Sequence, residues 1–158
     1  MSDIQRLEAR VGELEARLAI MDLEARYAAA WDAGDGDAWA ALFTDDGVFE
    51  MAGVGDRETQ TTTGRDALVA FCRQVDSFYK GLHFMHLPAI TVEGAHASAR
   101  LHFQWRGSFN RGNQFFGSRT CDGYYDVSYV RRDGEWKIAR RYEKAVSGVT
   151  GEDYDVYR

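Results

Sequence analysis

The hydrophobic period of this chain changes near residue 81, and this change constrains the fold more than any other feature. Before this point apolar residues recur every three or four positions, as in helices, whereas afterwards they alternate with polar residues, as in strands. The alternating stretches are His83–Glu93, His96–Arg106, Arg119–Arg131 and Glu135–Val146. Helices in one half and strands in the other predict an α+β fold, with the sheet mainly over residues 83–147.

The size and charge of the chain narrow the class of protein. With 158 residues we expect a single domain over residues 1–158, ending in a short C-terminal tail at 148–158. A net charge of -6 would repel nucleic acid. The chain has neither an apolar signal core at its start nor a stretch long enough to span a bilayer, so we expect a cytoplasmic protein. Cys72 and Cys121 are expected to be reduced, buried thiols.

The first helix carries a strict heptad pattern. Apolar residues at alternating steps of three and four predict one long helix over about residues 4–33, ended by Gly34 and Gly36. We name these residues the heptad stripe: Ile4, Leu7, Val11, Leu14, Leu18, Met21 and Ala25. Such a stripe favours packing against another helix, either in the same chain or in a second subunit.

Two further helices are predicted before the sheet. Asp37 would cap a short one, and Thr63–Asp66 fits a capping box for a longer one. The longer helix would bury Leu68, Phe71, Val75, Phe78 and Leu82. The intervening residues 53–63 have no apolar period and are predicted to form an exposed loop or a flap.

Residues far apart in the sequence could together move a proton. Tyr27 and Asp32 close the first helix, while His83 and His102 lie on predicted strands. A phenol, a carboxylate and an imidazole in one pocket suffice for acid–base chemistry without a metal or cofactor. Tyr27 and Asp32 are about 140° apart around the helix, so a shared cavity would have to wrap its end. His83 and His86 should face opposite sides of a strand, so we expect no metal site.

One predicted strand has two contrasting faces. Arg100, His102, Gln104 and Arg106, here called the polar row, share one face, and Leu101, Phe103 and Trp105 share the other. On alternation alone the polar row would face solvent. In the alternative arrangement the polar row lines an internal pocket and the apolar face covers a subunit contact. The pairs Arg131–Arg132 and Arg140–Arg141 should each place one member on either face of a strand.

Several segments resemble the SnoaL-like families of the nuclear transport factor 2-like (NTF2-like) superfamily. They are Leu18–Tyr27, Trp31–Asp35, Ala41–Phe49, Gly64–Ala67, His83–Ile90 and Tyr125–Ile138, and the resemblance covers nearly the whole chain. It implies a cone in which three helices close a strongly curved, mixed and mostly antiparallel sheet around a deep pocket. It also implies a homo-oligomer, either a dimer or a trimer.

The resemblance extends to lyases of this superfamily, namely scytalone dehydratases, hexachlorocyclohexane dehydrochlorinases and bile acid 7α-dehydratases. It implies that Asp32 and His83 form a dyad that takes a proton from carbon, and that Tyr27 is a catalytic tyrosine. His102 matches a second active-site histidine, which favours the arrangement with the polar row facing inward. Arg106 stands where the bile acid enzymes carry an acidic residue. The resemblance therefore indicates the reaction type more clearly than it indicates the substrate.

The resulting hypothesis is a cofactor-free, dehydratase-like lyase acting on a small hydrophobic, ring-containing substrate. His83 would be the base, Asp32 would orient its ring, and Tyr27 would donate to a carbonyl or to the leaving oxygen. His102 or Asp126 would protonate the leaving group. Further substrate-binding residues would be Tyr125, Arg119, Trp31, Phe49 and Arg106. The alternatives are a cyclase or isomerase using the same dyad, and a hydrophobic-ligand-binding protein without turnover.

Overall fold

The computed structural model describes residues 2–111 and 114–148. Apart from Gly148, the predicted C-terminal tail lies outside the described residues. Within them, the chain forms three helices and seven strands, and the predicted α+β fold is confirmed. The helices are α1 (Asp3–Asp32), α2 (Gly36–Ala40) and α3 (Arg65–Phe78). The strands are β1 (Phe43–Met51), β2 (Gln60–Thr63), β3 (Tyr79–Met85), β4 (Ala89–Glu93), β5 (His96–Arg111), β6 (Gln114–Arg132) and β7 (Glu135–Ser147).

The strands form one mixed sheet in the order β2-β1-β7-β6-β5-β3. The β1–β7 pairing is parallel and the other described pairings are antiparallel. The single strand predicted at His83–Glu93 is in fact two strands, β3 and β4, which pair with successive halves of β5. Residues 86–88, which include Pro88, separate them. Proline has no backbone N–H to donate to the ladder, which accounts for the break.

The helix ends differ from the predictions in their caps. The bounds of α1 agree with the prediction to within one residue, and Ser2 and Gln5 form its capping box. The cap of α2 is Asp35 rather than Asp37, because the Asp35 carboxylate accepts a hydrogen bond from the Ala38 N–H at 3.0 Å. The capping box predicted for α3 is wrong, because its N-cap is Gly64 at a φ of 83°. The predicted loop at 53–63 is also partly wrong, since its end forms β2.

Helix α1 has two distinct apolar faces. One face is buried against the rest of the domain and consists of Ala16, Ile20, Leu23 and Tyr27. The heptad stripe lies on another side of the helix and is exposed along its whole length. The interpretation that an internal helix covers this stripe is therefore wrong within the described residues. On α3, Leu68, Phe71 and Val75 are buried as predicted, but Phe78 and Leu82 are exposed because the helix ends at Phe78.

The two faces of β5 are oriented as alternation alone predicts. Leu101 and Phe103 are buried, whereas Arg100, His102 and Arg106 are exposed. The arrangement in which the polar row lines a pocket is therefore wrong. The hydrophobic effect decides the orientation, because the apolar face of β5 belongs to the main core cluster.

A one-residue bulge in β7 reverses its inward and outward positions. Ser128 pairs with Arg140 and Tyr129 pairs with Ile138, so Ala139 is an extra residue in the ladder. After the bulge Arg141 is fully buried and Arg140 is exposed, so the predicted split of this pair is confirmed. Glu143, two residues beyond Arg141, faces inward as well. Arg131 pairs with Trp136 and Arg132 pairs with Glu135 in an unbroken register, so this pair also lies on opposite faces of its strand, with both side chains exposed near the hairpin turn.

Neither cysteine forms a disulfide, as predicted, but only Cys72 is fully buried. Burial raises the pKa of the Cys72 thiol to about 12, so it is protonated and unreactive at neutral pH. Cys121 is partly exposed. None of the helices in the described ranges combines the length and apolar character needed to cross a bilayer.

Candidate active site

A pocket lies between the C-terminal end of α1, helix α3 and the inner face of the sheet. Its empty volume, open mouth included, is about 960 Å³. Most of its wall is apolar or aromatic, and a few charged side chains project into it. The apolar and aromatic lining includes Tyr27, Trp31, Met51, Phe71, Val75, Tyr79, Phe103, Trp105 and Tyr125, and the charged residues are Asp32, Asp76, Arg119 and Glu143, together with His83.

Asp32 and His83 are held together by two hydrogen bonds. The Asp32 Oδ1 atom lies 2.7 Å from His83 Nδ1, and Oδ2 accepts the His83 backbone N–H at 2.8 Å. Asp32 is the last residue of α1, and β3 carries His83 past that helix end. Their side chains are only 12% and 5% exposed. A carboxylate at Nδ1 selects the tautomer with a proton there, which leaves Nε2 as the basic nitrogen.

On the Nε2 side of the His83 ring lies a second pair of polar groups, Tyr125 and Glu143. The Tyr125 hydroxyl lies 3.3 Å from His83 Nε2 and also hydrogen-bonds to the carboxyl of Glu143. Burial raises the pKa of Tyr125 well above its usual value, so its hydroxyl stays protonated. The four side chains therefore form a chain of polar contacts in the order Asp32, His83, Tyr125, Glu143.

Glu143 is a pocket carboxyl that was not predicted from the sequence. Burial raises its pKa from 4.5 to about 7, although Arg141 and the hydrogen bond from Tyr125 both act in the opposite direction. Both protonation states are therefore populated near neutral pH. Simple alternation from Trp136 and Ile138 places position 143 on the outer face, and only the bulge at Ala139 turns it inward.

Tyr27 lines the same pocket from α1. Its ring contacts the rings of Trp39, Phe43 and Tyr125 at centroid distances of 5.6, 6.3 and 5.9 Å. Burial raises the pKa of its hydroxyl, so Tyr27 can act only as a neutral hydrogen-bonding group. The structure thus brings Tyr27, Asp32 and His83 to one cavity, as the sequence analysis expects.

A sealed ion pair lies behind the pocket. Arg141 Nη1 donates to both carboxylate oxygens of Glu24 at 2.9 Å, and the Tyr129 hydroxyl donates to Glu24 at 2.6 Å. The Arg141 guanidinium carbon lies 3.7 Å from the ring centroid of Tyr27 and 3.8 Å from that of Tyr125. These cation–π contacts hold the two tyrosine rings that face the pocket.

The remaining predicted site residues divide between the pocket and the outer face. Trp31 lines the pocket, its ring 6.5 Å from that of His83, and Arg119 also lines it. Phe49 packs behind Trp31 and does not reach the pocket surface.

Three predicted site residues lie on the outer face. His102 lies beside His86, Asp126 forms an ion pair with Arg100, and Arg106 lies over Phe84. Their placement in the pocket is therefore wrong, for the reason given above for the polar row. The residues of the described ranges contain no cluster of three or more His, Cys, Asp or Glu that could hold a metal ion.

Solved structures share this fold. An NTF2-like protein with a cystatin-like fold from Novosphingobium aromaticivorans is 27% identical, with a TM-score of 0.72, over 100% of this chain and 99% of that one. A protein of unknown function from Mycobacterium tuberculosis is 25% identical, with a TM-score of 0.69, over 92% of this chain and 76% of that one. Hexachlorocyclohexane dehydrochlorinase LinA-type3 from Novosphingobium barchaimii has a TM-score of 0.68 over 94% and 93% of the two chains. At 22% identity this last likeness concerns the fold.

These similarities define an α+β protein of the NTF2-like superfamily with a pocket between helices and sheet. The model of the SnoaL-like domain family matches residues 12–142. The chain therefore belongs to the SnoaL-like domain family. No curated protein matches the sequence significantly.

Proposed function

We propose that this protein is a cofactor-independent lyase that eliminates a leaving group from a small hydrophobic, ring-containing hydroxy-carbonyl compound. The observation that carries the proposal is the hydrogen-bonded Asp32–His83 pair, which lines an otherwise largely apolar pocket. A hexachlorocyclohexane dehydrochlorinase has the same fold, so the fold is compatible with an elimination reaction. The aromatic lining favours a flat, apolar substrate.

The first step is removal of a proton from the carbon next to a carbonyl. His83 Nε2 takes this proton, and the Asp32 carboxylate stabilises the imidazolium that forms and keeps the ring oriented. The Tyr27 hydroxyl is the donor to the substrate carbonyl, where negative charge develops. Tyr27 contributes as a neutral donor because burial raises its pKa.

The second step is departure of the leaving group. The electron pair of the broken C–H bond forms a C=C bond, and the C–O bond at the adjacent carbon breaks. Protonated Glu143 gives its proton to the departing oxygen, so that water leaves. The proton on His83 then returns to the Glu143 carboxylate through the Tyr125 hydroxyl, which bridges the two groups. Glu143 thereby takes the role for which His102 and Asp126 are the sequence-based candidates.

The proposal is tested by turnover of 3-hydroxyindan-1-one, a bicyclic β-hydroxy ketone. The wild-type protein should release a product lighter by one water, followed by mass spectrometry. The His83→Ala variant should lose about 10² to 10⁴-fold in rate, which is the usual contribution of one general base. His102→Ala is the matched control, because it removes an imidazole from the outer face of the same sheet. Equal turnover by His83→Ala and the wild type would show that His83 is not the general base.

An isomerase is the second candidate. Glu143 favours it, because a second proton carrier beside the base can deliver a proton to another carbon of the same substrate. The product of an isomerase would have unchanged mass and a moved double bond, as followed by NMR of the β,γ-unsaturated ketone Δ3-cyclohexenone. Loss of water with 3-hydroxyindan-1-one and no double-bond shift in the second ketone would favour the lyase.

A further inference from the structure

The first four turns of α1 are unsupported by the rest of the domain. Every described residue from Ser2 to Glu15 is exposed, and the heptad stripe continues along the helix as far as Ala25. Leu7 and Leu18 are 61% and 65% exposed. An isolated helix of this length is only marginally stable in water, and a continuous apolar strip on a monomer favours association.

We propose that the heptad stripe is a dimerisation surface, covered by the same stripe of a second copy in a parallel, two-stranded coiled coil. The choice of side chains supports this occupant. The first position of each heptad (a) holds Ile4, Val11 and Leu18, and the fourth (d) holds Leu7, Leu14 and Met21. β-Branched residues at a combined with leucine at d favour parallel dimers over higher oligomers.

The charges that flank the stripe select the parallel orientation. The e positions are all acidic, and two of the g positions are arginine; they are Glu8, Glu15 and Asp22 at e, and Arg10 and Arg17 at g. In a parallel pair each g residue faces the e residue five positions later on the other helix, which places Arg10 opposite Glu15 and Arg17 opposite Asp22. Asp3 opposite Glu8 is the one repulsive pair, at the helix start. An antiparallel pair would instead oppose acidic e positions to each other.

The position of the domain on α1 leaves room for this dimer. The buried face of α1, formed by Ala16, Ile20 and Leu23, lies about 180° around the helix from the centre of the stripe. Two helices can therefore meet along their stripes while each domain packs on the far side of its own helix. Arg17 lies at the boundary, where it donates to the Ile90 carbonyl at 2.8 Å and pairs with Glu13.

The first test is the mass of the full chain in solution, measured by sedimentation equilibrium. The stripe has three heptads, the lower limit for a coiled coil, so the mass should rise with concentration from 17.9 kDa to twice that value. Leu14→Glu should stay monomeric, with the domain folded and a loss of circular dichroism no larger than the helical signal of the first four turns of α1. Ala9→Glu is the matched control on another exposed side of the same helix and should still dimerise. A monomeric wild type at about 100 μM, or a dimeric Leu14→Glu, would overturn the proposal.

The second test concerns the orientation of the two helices. Arg10→Glu and Glu15→Arg should each weaken the homodimer, since each places like charges opposite one another in a parallel pair. An equimolar mixture of the two variants should form a heterodimer tighter than either homodimer, because both cross-helix pairs become attractive. If mixing restores no dimer, the parallel arrangement is wrong.

Discussion

Two neighbouring groups of polar side chains in this protein contain similar residue types but have different surroundings. Each contains a carboxylate, a basic side chain and a tyrosine: Glu24, Arg141 and Tyr129 in the sealed group, and Asp32, His83 and Tyr125 in the pocket group. The sealed group is closed off behind the tyrosine rings, whereas Asp32, His83 and Tyr125 of the pocket group line the cavity. The comparison shows that access to a cavity, rather than residue type, separates candidate chemistry from structural support.

The two groups are physically connected. The Arg141 guanidinium packs on the ring of Tyr125, whose hydroxyl lies beside His83. The sealed ion pair thus positions one wall of the pocket without touching a substrate. Substitutions in the sealed group should therefore change stability, and substitutions in the pocket group should change the reaction rate.

The largest expected effect is a loss of stability when the sealed pair is broken. Arg141→Ala leaves the Glu24 carboxylate buried without its partner, which typically costs about 3 to 5 kcal/mol of unfolding free energy. Urea denaturation followed by tryptophan fluorescence measures this loss. Arg140→Ala, one residue away, is the control; it loses only the ion pair that the half-exposed Arg140 forms with Glu50 and should change stability by less than about 1 kcal/mol. Similar values for the two variants would contradict a structural role for the sealed group.

The opposite result is expected for the pocket group. Asp32→Asn should lower the elimination rate by about 10² to 10⁴-fold, because the amide cannot stabilise a protonated His83 ring. Its unfolding free energy should fall by only about 1 kcal/mol, since the amide oxygen can still accept one of the two hydrogen bonds. Steady-state kinetics and urea denaturation on the same preparation distinguish the two effects. If Asp32→Asn lost stability and kept the wild-type elimination rate, the role of Asp32 would be structural rather than catalytic.

A third expected effect is a pH dependence of stability that comes from Glu143. Its pKa is raised from 4.5 to about 7, so between these values the folded protein holds a proton that the unfolded chain releases. Stability should therefore fall as the pH rises through this window, by roughly 2 to 3 kcal/mol in total. Glu143→Gln cannot ionise and should lack this part of the slope. Parallel slopes for the variant and the wild type between pH 4.5 and 7 would show that the carboxyl is not protonated at neutral pH.

The smallest effect is expected on the outer face. Asp126→Asn removes one partner of the exposed ion pair with Arg100, so the elimination rate should be unchanged. The same assay that detects the loss in Asp32→Asn provides the measurement. A large loss of rate would mean that the outer face takes part in catalysis, as the inward arrangement of the polar row requires.

The sequence determines some of these features well and others not at all. The bounds of α1 follow from its heptad period, and the outward orientation of His102 follows from alternation in β5. The resemblance to known lyases favours the inward orientation and is wrong on this point, because burial of Leu101 and Phe103 decides the face. The pairing of Asp32 with His83 depends on a helix end meeting a strand 51 residues away, which local spacing cannot specify.

Glu143 shows why part of the candidate site could not be predicted. Strand alternation is a rule of period two, and a single extra residue reverses every later position. The bulge at Ala139 is not marked by glycine or any other local signal, and it is defined by pairing with β6. For the heptad stripe, the local structure was predictable and the tertiary contacts were not. Its period correctly predicts a helix, but it does not show that the rest of the domain leaves the stripe exposed.

Hydrogen–deuterium exchange at the α carbon of indan-1-one in D₂O, followed by NMR, isolates the proton transfer assigned to the Asp32–His83 pair. This ketone has no leaving group, so the exchange reports only the transfer of a proton between carbon and the base. We expect the wild type and Glu143→Gln to catalyse the exchange and His83→Ala to lose it. Equal exchange rates for the wild type and His83→Ala would contradict the claim that the Asp32–His83 pair moves a proton from carbon.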